Sequence, residues 1–341
     1  MLFISGWPLP LQIIVYVLTL GVGAFFLIKF CNIFVDSSSN IAKKLGIPPL
    51  IVGLTVVAMG TSFPELAVSV SDSISSLAEG SNANIGFSNV VGSNISNLLL
   101  VLAFSSLFAP VLIKKETKRD YLVLVGVTSI FTIFALLFGD FAILRWEAII
   151  LVCIIFFYIT YIVLNAKKQI KKDEEVVDDK KTNLFKDIIF LLVGVIGVVA
   201  GGELVVYGAK GIALNVASSL NVDMALAETL IGLTIVAVGT SLPELVTTII
   251  ASKKNENDMA LGNVIGSNIF NIIFVLGISA TIAPFTISSY MIVDLIVLLL
   301  ATLLVFVFVL RGKFTRKHSI CLIALYVSYV VYLVVRTLIG G

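Results

Sequence analysis

The sequence GTSFPEL at residues 60–66 recurs as GTSLPEL at residues 239–245. Both copies lie inside strongly apolar segments, and in each copy a glutamate directly follows a proline. A carboxylate and a helix-breaking proline are costly in the interior of a membrane, so intramembrane acids of this kind mark functional sites by default. The duplicated motif therefore predicts an ion-transport site built from the two halves of a duplicated chain.

The composition of the chain is that of a membrane protein. Of its 341 residues, 59% are hydrophobic and 13% are charged, and the mean hydropathy is +1.10. About 25% of the residues of a soluble domain are charged. The chain has no block of basic residues interleaved with aromatic residues, which argues against nucleic-acid binding.

Ten segments are apolar enough to cross a bilayer as helices, which takes about 20 residues each. We predict an all-α polytopic membrane protein with ten transmembrane helices in two inverted five-helix repeats. The predicted spans are residues 11–35, 47–71, 88–109, 120–138, 142–164, 187–209, 228–251, 260–283, 286–310 and 318–338.

The basic residues predict the orientation of these spans. Five alternate loops hold 19 of the 23 Lys and Arg residues, and such loops face the cytoplasm under the positive-inside rule. Both termini are then expected outside the cell, which agrees with an even number of spans. The expected location is the cell membrane. The five loops carry Lys43 and Lys44, Lys114 to Arg119, the lysines of 167–186, Lys253 and Lys254, and Arg311 to Lys317.

Sequence matches between the two halves extend beyond the first motif. Residues 51–70 match residues 230–249 at 11 of 20 positions, and residues 88–102 match residues 262–276 at 9 of 15. Five spans separate equivalent elements, and an odd number of spans reverses the orientation of the second copy. Inverted repeats place their site near the bilayer midplane between the halves.

This pattern predicts three parts of the chain. They are a first five-helix repeat (1–165), a charged cytoplasmic linker (166–186) and a second, inverted five-helix repeat (187–341).

The first motif offers oxygen atoms at mid-membrane. Pro64 and Pro243 have no N–H group, so the carbonyl oxygens one turn earlier lose their helical donors. On a helix, residues three or four apart share a face, which groups each glutamate with the hydroxyls before it. The expected oxygen donors are Thr61, Ser62 and Glu65 in the first copy and Thr240, Ser241 and Glu244 in the second.

The second motif adds two further pairs with helical spacing. Ser93 and Asn97 are four residues apart, as are Ser267 and Asn271, so each pair lies on one helix face. Packing of small residues with interhelical hydrogen bonds is the alternative explanation of such a pattern. Beside the glutamate motifs, ligation of an ion is the favoured interpretation. Asn94 and Asn268 fit either role, as braces or as ligands.

An all-oxygen set of ligands selects a hard cation, and calcium takes about six to eight oxygens in flexible geometry. Two carboxylates, Glu65 and Glu244, would neutralise one divalent ion. The cargo is expected to be the only metal, with no cofactor and no enzymatic activity.

The paired motifs GTSFPEL with GSNISN and GTSLPEL with GSNIFN resemble those of the sodium/calcium exchangers, a branch of the calcium/cation antiporter superfamily. The resemblance covers essentially the whole chain. It implies exchange of sodium for calcium by alternating access through clustered ion sites, with the first and sixth spans moving against the others.

The resemblance also implies roles for individual residues. Glu65 and Glu244 would hold calcium and share sodium, and the backbone oxygens of Thr61 and Thr240 would join them at calcium. Asn97 and Asn271 occupy the positions that follow the Gly-Ser pair, and some relatives carry Asp at the position of Asn271. The sodium sites would be completed by Ser62, Ser93, Ser241, Ser267 and the carbonyls of Ala58 and Ala237.

Other functions fit the sequence less well. A calcium/proton antiporter, or an exchanger of another divalent cation, would use the same glutamates and is the nearest alternative. Intramembrane aspartyl proteases carry aspartates in a different pattern, whereas the duplicated acids of this chain are glutamates that follow proline. A passive channel would lack transport against a gradient.

Overall fold

In the computed structural model of the protein, the structure is described for residues 7–79, 84–108, 111–138, 141–170, 183–220, 231 and 237–339. The helices of the first half are α1 (Leu9–Leu45), α2 (Pro49–Val52), α3 (Ala58–Thr61), α4 (Phe63–Glu79), α5 (Asn84–Ser96), α6 (Leu102–Phe108), α7 (Lys115–Ile133) and α8 (Arg145–Ile170). Those of the second half are α9 (Leu184–Ser219), α10 (Ala237–Thr240), α11 (Leu242–Lys253), α12 (Asn257–Phe270), α13 (Gly277–Ile282), α14 (Ser289–Leu310) and α15 (Arg316–Leu338). Turns of π-helix cover Gly53–Val57, Asn97–Val101, Phe134–Phe138 and Asn271–Leu276.

The membrane-spanning character of the fold is confirmed. In the described residues, eight helices are long and apolar enough to cross a membrane. A ninth span is formed if Pro49–Thr61 and Phe63–Glu79, bent by 47° relative to one another, count as one. The predicted seventh span (228–251) lies partly outside the described residues, which resume at residue 237. Most of the predicted linker (166–186) lies outside them as well.

The first and sixth spans are longer than predicted. The helix α1 has 37 residues and α9 has 36, so each is about 55 Å long at 1.5 Å per residue. The predicted first span ends at residue 35, directly before the polar residues 36–40 (DSSSN). They are helical in the structure, and the three serines among them are buried: Ser38 is fully buried, and Ser39 Oγ donates to Glu256 Oε1 at 2.6 Å, whereas Asp36 is exposed.

These two long helices pack against each other along their lengths. Glycines allow the close approach: a Cβ atom at Gly201 would lie 2.5 Å from the backbone nitrogen of Leu27, and one at Gly194 would lie 2.9 Å from Phe34 Cα. Gly23 and Gly197 contact the opposite helix in the same way, whereas Gly21 has nothing within 4 Å. The α1–α9 pair is thus a closely fitted unit.

Two short antiparallel strand pairs connect the halves. The strand β1 (Val111–Leu112) pairs with β4 (Lys313–Phe314), and β2 (Ala142–Ile143) pairs with β3 (Phe285–Thr286). Their registers place Val111 opposite Phe314 and Ala142 opposite Thr286. Loops that pair must lie on one side of the membrane, and each pair joins two loops that the charge pattern predicts on the same side.

The centre of the protein is formed by the third and eighth spans. In the most apolar window of each, 78% of the residues are buried inside the protein, more than in the other spans recognised in the described residues. Both helices carry a Gly-Ser-Asn sequence at their middle. A Cβ at Gly266 would lie 2.5 Å from the Leu54 carbonyl oxygen, so glycine is needed for α12 to approach the second span. The second-motif helix of the second repeat therefore packs against the second span of the first repeat.

Candidate ion-binding site

Each glutamate motif interrupts its helix. The helix α3 ends at Thr61 and α4 begins at Phe63, leaving Ser62 between them with φ −87° and ψ 8°. The second copy repeats this geometry at Ser241, where φ is −85° and ψ is 2°. The cause is the proline two residues later, which has no N–H to donate to the turn before it. Both helix breaks therefore lie three residues before a site glutamate.

In each repeat, the second motif lies where the α-helix changes to a π-turn. Asn97 and Asn271 are each the first residue of a π-turn. Such turns appear as single bulges within α-helices and are frequent at functional sites. Both asparagines are fully buried, so the two amides lie at the core where the helix geometry changes.

The two glutamates are fully buried and incompletely hydrogen-bonded. Oε1 of Glu244 accepts a hydrogen bond from Ser62 Oγ at 3.1 Å, which joins the two repeats. Oε2 of Glu244 and both carboxylate oxygens of Glu65 lack a partner among the described residues. Buried carboxylates need compensation by a partner or an ion, so these oxygens are available to a cation.

The asparagines of the second motif bond across the repeats through their nitrogens. Asn97 Nδ2 donates to Ser267 Oγ at 3.3 Å, and Asn271 Nδ2 donates to Ser93 Oγ at 3.3 Å. The amide oxygens of both asparagines lack a partner among the described residues. The two neutral amide oxygens are therefore available to a cation, because the amide nitrogens already donate to the serines.

The remaining predicted residues lie in the same elements. Ser241 Oγ is buried without a partner among the described residues, and Thr61 and Ala58 are fully buried in α3. Ala237 and Thr240 are the first and last residues of α10. The structure thus joins Ser62 to Glu244, Asn97 to Ser267 and Asn271 to Ser93, and it puts Glu65 one turn from Ser62.

The structure gives hydrogen bonds for Asn94 and Asn268, which the sequence leaves as either braces or ligands. Asn94 donates to the Asn268 carbonyl oxygen at 3.2 Å and accepts from Asn271 at 3.1 Å. Asn268 donates to the Val264 carbonyl oxygen at 2.7 Å. These bonds make Asn94 a brace between the repeats.

The number of charges at the site is small. In the described residues, no group of three or more His, Cys, Asp or Glu side chains converges. A cation bound here would be held by two carboxylates and neutral oxygens, a set that suits hard ions such as calcium and sodium.

A cavity of about 90 Å³ lies beside the two proline breaks. The long helix α9 forms one wall with Glu203, and Pro64, Thr240 and Pro243 form the other. The cavity thus borders the prolines that directly precede the two site glutamates.

Asn263 and Asn89 contact residues of the site, and neither is identified from the sequence. Asn263 Oδ1 accepts from Thr61 Oγ1 at 3.2 Å, and Asn89 Nδ2 lies 3.5 Å from the Glu65 carbonyl oxygen. The available signal was their repetition, since they are the second residues of SNVVGSN and GNVIGSN.

Comparisons with known proteins identify the family of the chain. The family model described as "Sodium/calcium exchanger protein" matches residues 15–165 and 186–335. The sodium/calcium exchanger MaX1 of Methanosarcina acetivorans is 32% identical over an alignment that covers 94% of this chain and 99% of that protein. The inner membrane protein YrbG of Escherichia coli K12 is 34% identical over 268 residues, which cover 77% of this chain and 78% of that protein.

A solved structure has the same fold. It is the sodium-calcium exchanger NCX_Mj soaked with Na+ and Sr2+, with a TM-score of 0.78 and 30% identity. The alignment covers 94% of this chain and 98% of that one.

The fold and the paired motifs define a membrane transporter built from two inverted repeats, and not an enzyme. The chain belongs to the sodium/calcium exchanger family, within the calcium/cation antiporters.

Proposed function

We propose that the protein exchanges sodium for calcium across the membrane by alternating access, with the ions bound between the two repeats. The observation that carries this proposal is a set of buried oxygens without hydrogen-bond partners among the described residues. Leaving such a group unpaired costs about 1–3 kcal/mol each, and one bound cation would satisfy several of them at once. The set comprises both carboxylate oxygens of Glu65, Oε2 of Glu244, Oγ of Ser241 and Oδ1 of Asn97 and Asn271.

The ligands divide by charge. Glu65 and Glu244, with the backbone oxygens of Thr61 and Thr240, hold calcium because two carboxylates balance its two charges. Sodium shares the glutamates and uses neutral oxygens, which suffice for a single charge. The neutral ligands are Ser62, Ser93, Ser241, Ser267, Asn97 and Asn271 and the carbonyls of Ala58 and Ala237.

The test is calcium flux in proteoliposomes with and without an opposing sodium gradient. We expect calcium to accumulate against its own gradient only when sodium runs the other way. Accumulation driven by a pH gradient without sodium would identify a calcium/proton antiporter, and dissipation without accumulation would identify a channel.

The sodium-driven exchange should carry current. Empty, the site has a charge of −2, because Asn97 and Asn271 are neutral. One calcium ion brings it to zero, and the three sodium ions that the family resemblance implies bring it to +1. The sodium-loaded transit should then respond to voltage by about 2.3 kcal/mol per charge per 100 mV. The measurement is exchange in voltage-clamped proteoliposomes, where exchange without current at any potential would contradict this charge balance.

Asn271→Asp should move the voltage dependence from the sodium-loaded step of the transport cycle to the calcium-loaded step. A third carboxylate makes the sodium-loaded site neutral and the calcium-loaded site −1. The aspartate also loses the hydrogen bond that Asn271 donates to Asn94, so ion selectivity should change as well. Half-cycle currents recorded with sodium alone and calcium alone separate these effects. Unchanged voltage dependence in both half-cycles would show that residue 271 lies outside the field of the ions.

The orientation of the chain in the membrane is inferred from the basic residues of the loops. The chain is an integral, multi-pass membrane protein, and we propose that it lies in the cell membrane with both termini outside. Single cysteines at the exposed residues Lys115 and Lys313 should label only from the cytoplasm, and one at Ile339 only from outside. The background must lack the native cysteines, two of which are exposed. The reversed labelling pattern would overturn the orientation.

A further inference from the structure

Three hydrogen-bond acceptors lie within 3.3 Å of the Thr61 hydroxyl oxygen. Its Oγ1 lies 3.2 Å from the Val57 carbonyl oxygen, 3.3 Å from the Ala58 carbonyl oxygen and 3.2 Å from Oδ1 of Asn263. A threonine hydroxyl carries one proton, so it can donate fully to one acceptor at a time. The choice matters because the Ala58 carbonyl is one of the proposed sodium ligands.

The amide of Asn263 is held in a fixed orientation. Its Nδ2 donates to Thr248 Oγ1 at 2.9 Å, which directs Oδ1 towards Thr61. Asn263 and Thr248 belong to the second repeat and Thr61 belongs to the first, and all three side chains are fully buried. The contact therefore joins the site of one repeat to a brace in the other.

The energetic balance favours donation to Asn263. The Ala58 carbonyl already accepts the Ser62 N–H at 3.1 Å. The amide oxygen of Asn263 is fully buried, and leaving it without a donor would carry the full desolvation cost of that group. Donation to Asn263 would satisfy that oxygen and would leave the second lone pair of the Ala58 carbonyl available to a cation.

We propose that Asn263 is a positioning residue for sodium: by accepting the Thr61 hydroxyl proton, it keeps the Ala58 carbonyl oxygen free to bind the ion. This inference rests on the proposed function, because it concerns the sodium ligands of that site. Calcium is affected less, since its proposed ligands are the glutamates and the backbone oxygens of Thr61 and Thr240.

The equivalent residue of the first repeat has weaker contacts. Asn89 is half-buried, and its Nδ2 lies 3.5 Å from both Ser69 Oγ and the Glu65 carbonyl oxygen. The corresponding distance from Asn263 to Thr248 is 2.9 Å with full burial. The tight brace is thus found at Asn263, and the role is assigned to that residue.

The test is displacement of radioactive calcium by sodium from the purified full-length protein. In Asn263→Ala, the Thr61 proton turns to the backbone carbonyls. The half-displacing sodium concentration should rise about tenfold, the worth of one hydrogen bond. The calcium dissociation constant should stay within about twofold. Thr248→Val removes the hydroxyl that orients the Asn263 amide. It should also raise the half-displacing sodium concentration, by a smaller factor. Thr248→Ser, which keeps the hydroxyl, is the matched control and should resemble the wild type.

The two ions separate a positioning role from a general structural one. An equal loss of affinity for sodium and calcium, or unchanged displacement in Asn263→Ala, would overturn the inference. Failure of the proposed function has a different signature: the wild type itself would show neither sodium displacement of calcium nor sodium-dependent calcium flux.

Discussion

Replacing either site glutamate with glutamine is expected to abolish calcium exchange and leave the protein folded. Glu65→Gln or Glu244→Gln removes one of two charges that face a divalent ion, so the occupied site keeps an uncompensated positive charge. A charge at the centre of the bilayer costs about 2.5–3.5 kcal/mol on insertion scales, which corresponds to about a hundredfold loss of affinity. Glutamine has nearly the same shape, and Glu65 makes no side-chain hydrogen bond to the described residues that would be lost.

The measurement is sodium-dependent calcium flux in proteoliposomes, with size-exclusion chromatography as the check on folding. Glu79→Gln is the matched control, because Glu79 is exposed at the end of the same helix, α4. It should transport as the wild type does. Near-normal calcium flux in both site variants would rule out the proposed site.

A disulfide between the first span and the second-repeat motif helix is expected to stop exchange completely. Cys31 on α1 lies with its Sγ 3.2 Å from Oγ1 of Thr247 on α11. Thr247→Cys would place two sulfurs at that contact, and a disulfide of about 2.05 Å needs only a small adjustment. If α1 moves against the motif helices during alternating access, the bond holds the protein in one state. Exchange should then fall to the background and return after reduction.

The tether should spare ion binding, because Cys31 and Thr247 are outside the proposed ligand set. Equilibrium calcium binding to the oxidised protein tests this. Cys31→Ser in the Thr247→Cys background cannot form the bond and is the control for the substitution itself; Cys153 and Cys321 are replaced in both proteins. Undiminished turnover, with the cross-link verified by mass spectrometry, would contradict movement of α1 relative to α11.

The sequence alone predicts the class of the fold and the chemistry of the site. Composition and the length of apolar segments indicate the spans, because a bilayer demands about 20 apolar residues in each helix. The glutamates and the Gly-Ser-Asn motifs stand out because polar residues kept twice within apolar segments have little value for packing alone. The odd number of spans between the copies makes the repeat inverted.

The ends of α1 and α9 could not be predicted in this way. Residues 36–40 are polar, and local hydropathy ends the span there, but buried contacts such as Ser39 with Glu256 keep the helix continuous. The short strand pairs likewise depend on partners in the other half, and no local signal distinguishes two-residue strands from ordinary loops.

What the sequence by itself determined is a candidate set of oxygens, proposed as ligands: two glutamates, the hydroxyls and amides near them, and the backbone carbonyls one turn before the prolines. Only the tertiary structure decided which atoms of that set are occupied and which remain open to an ion. Ser62 and Glu244, for example, are 182 residues apart along the chain and 3.1 Å apart in space. Spacing reports only neighbours on one helix, whereas the orientation of Asn97 and Asn271 is set by hydrogen bonds to the opposite repeat. Those bonds exist only once the two halves have packed together, because burial then makes each unpaired donor costly.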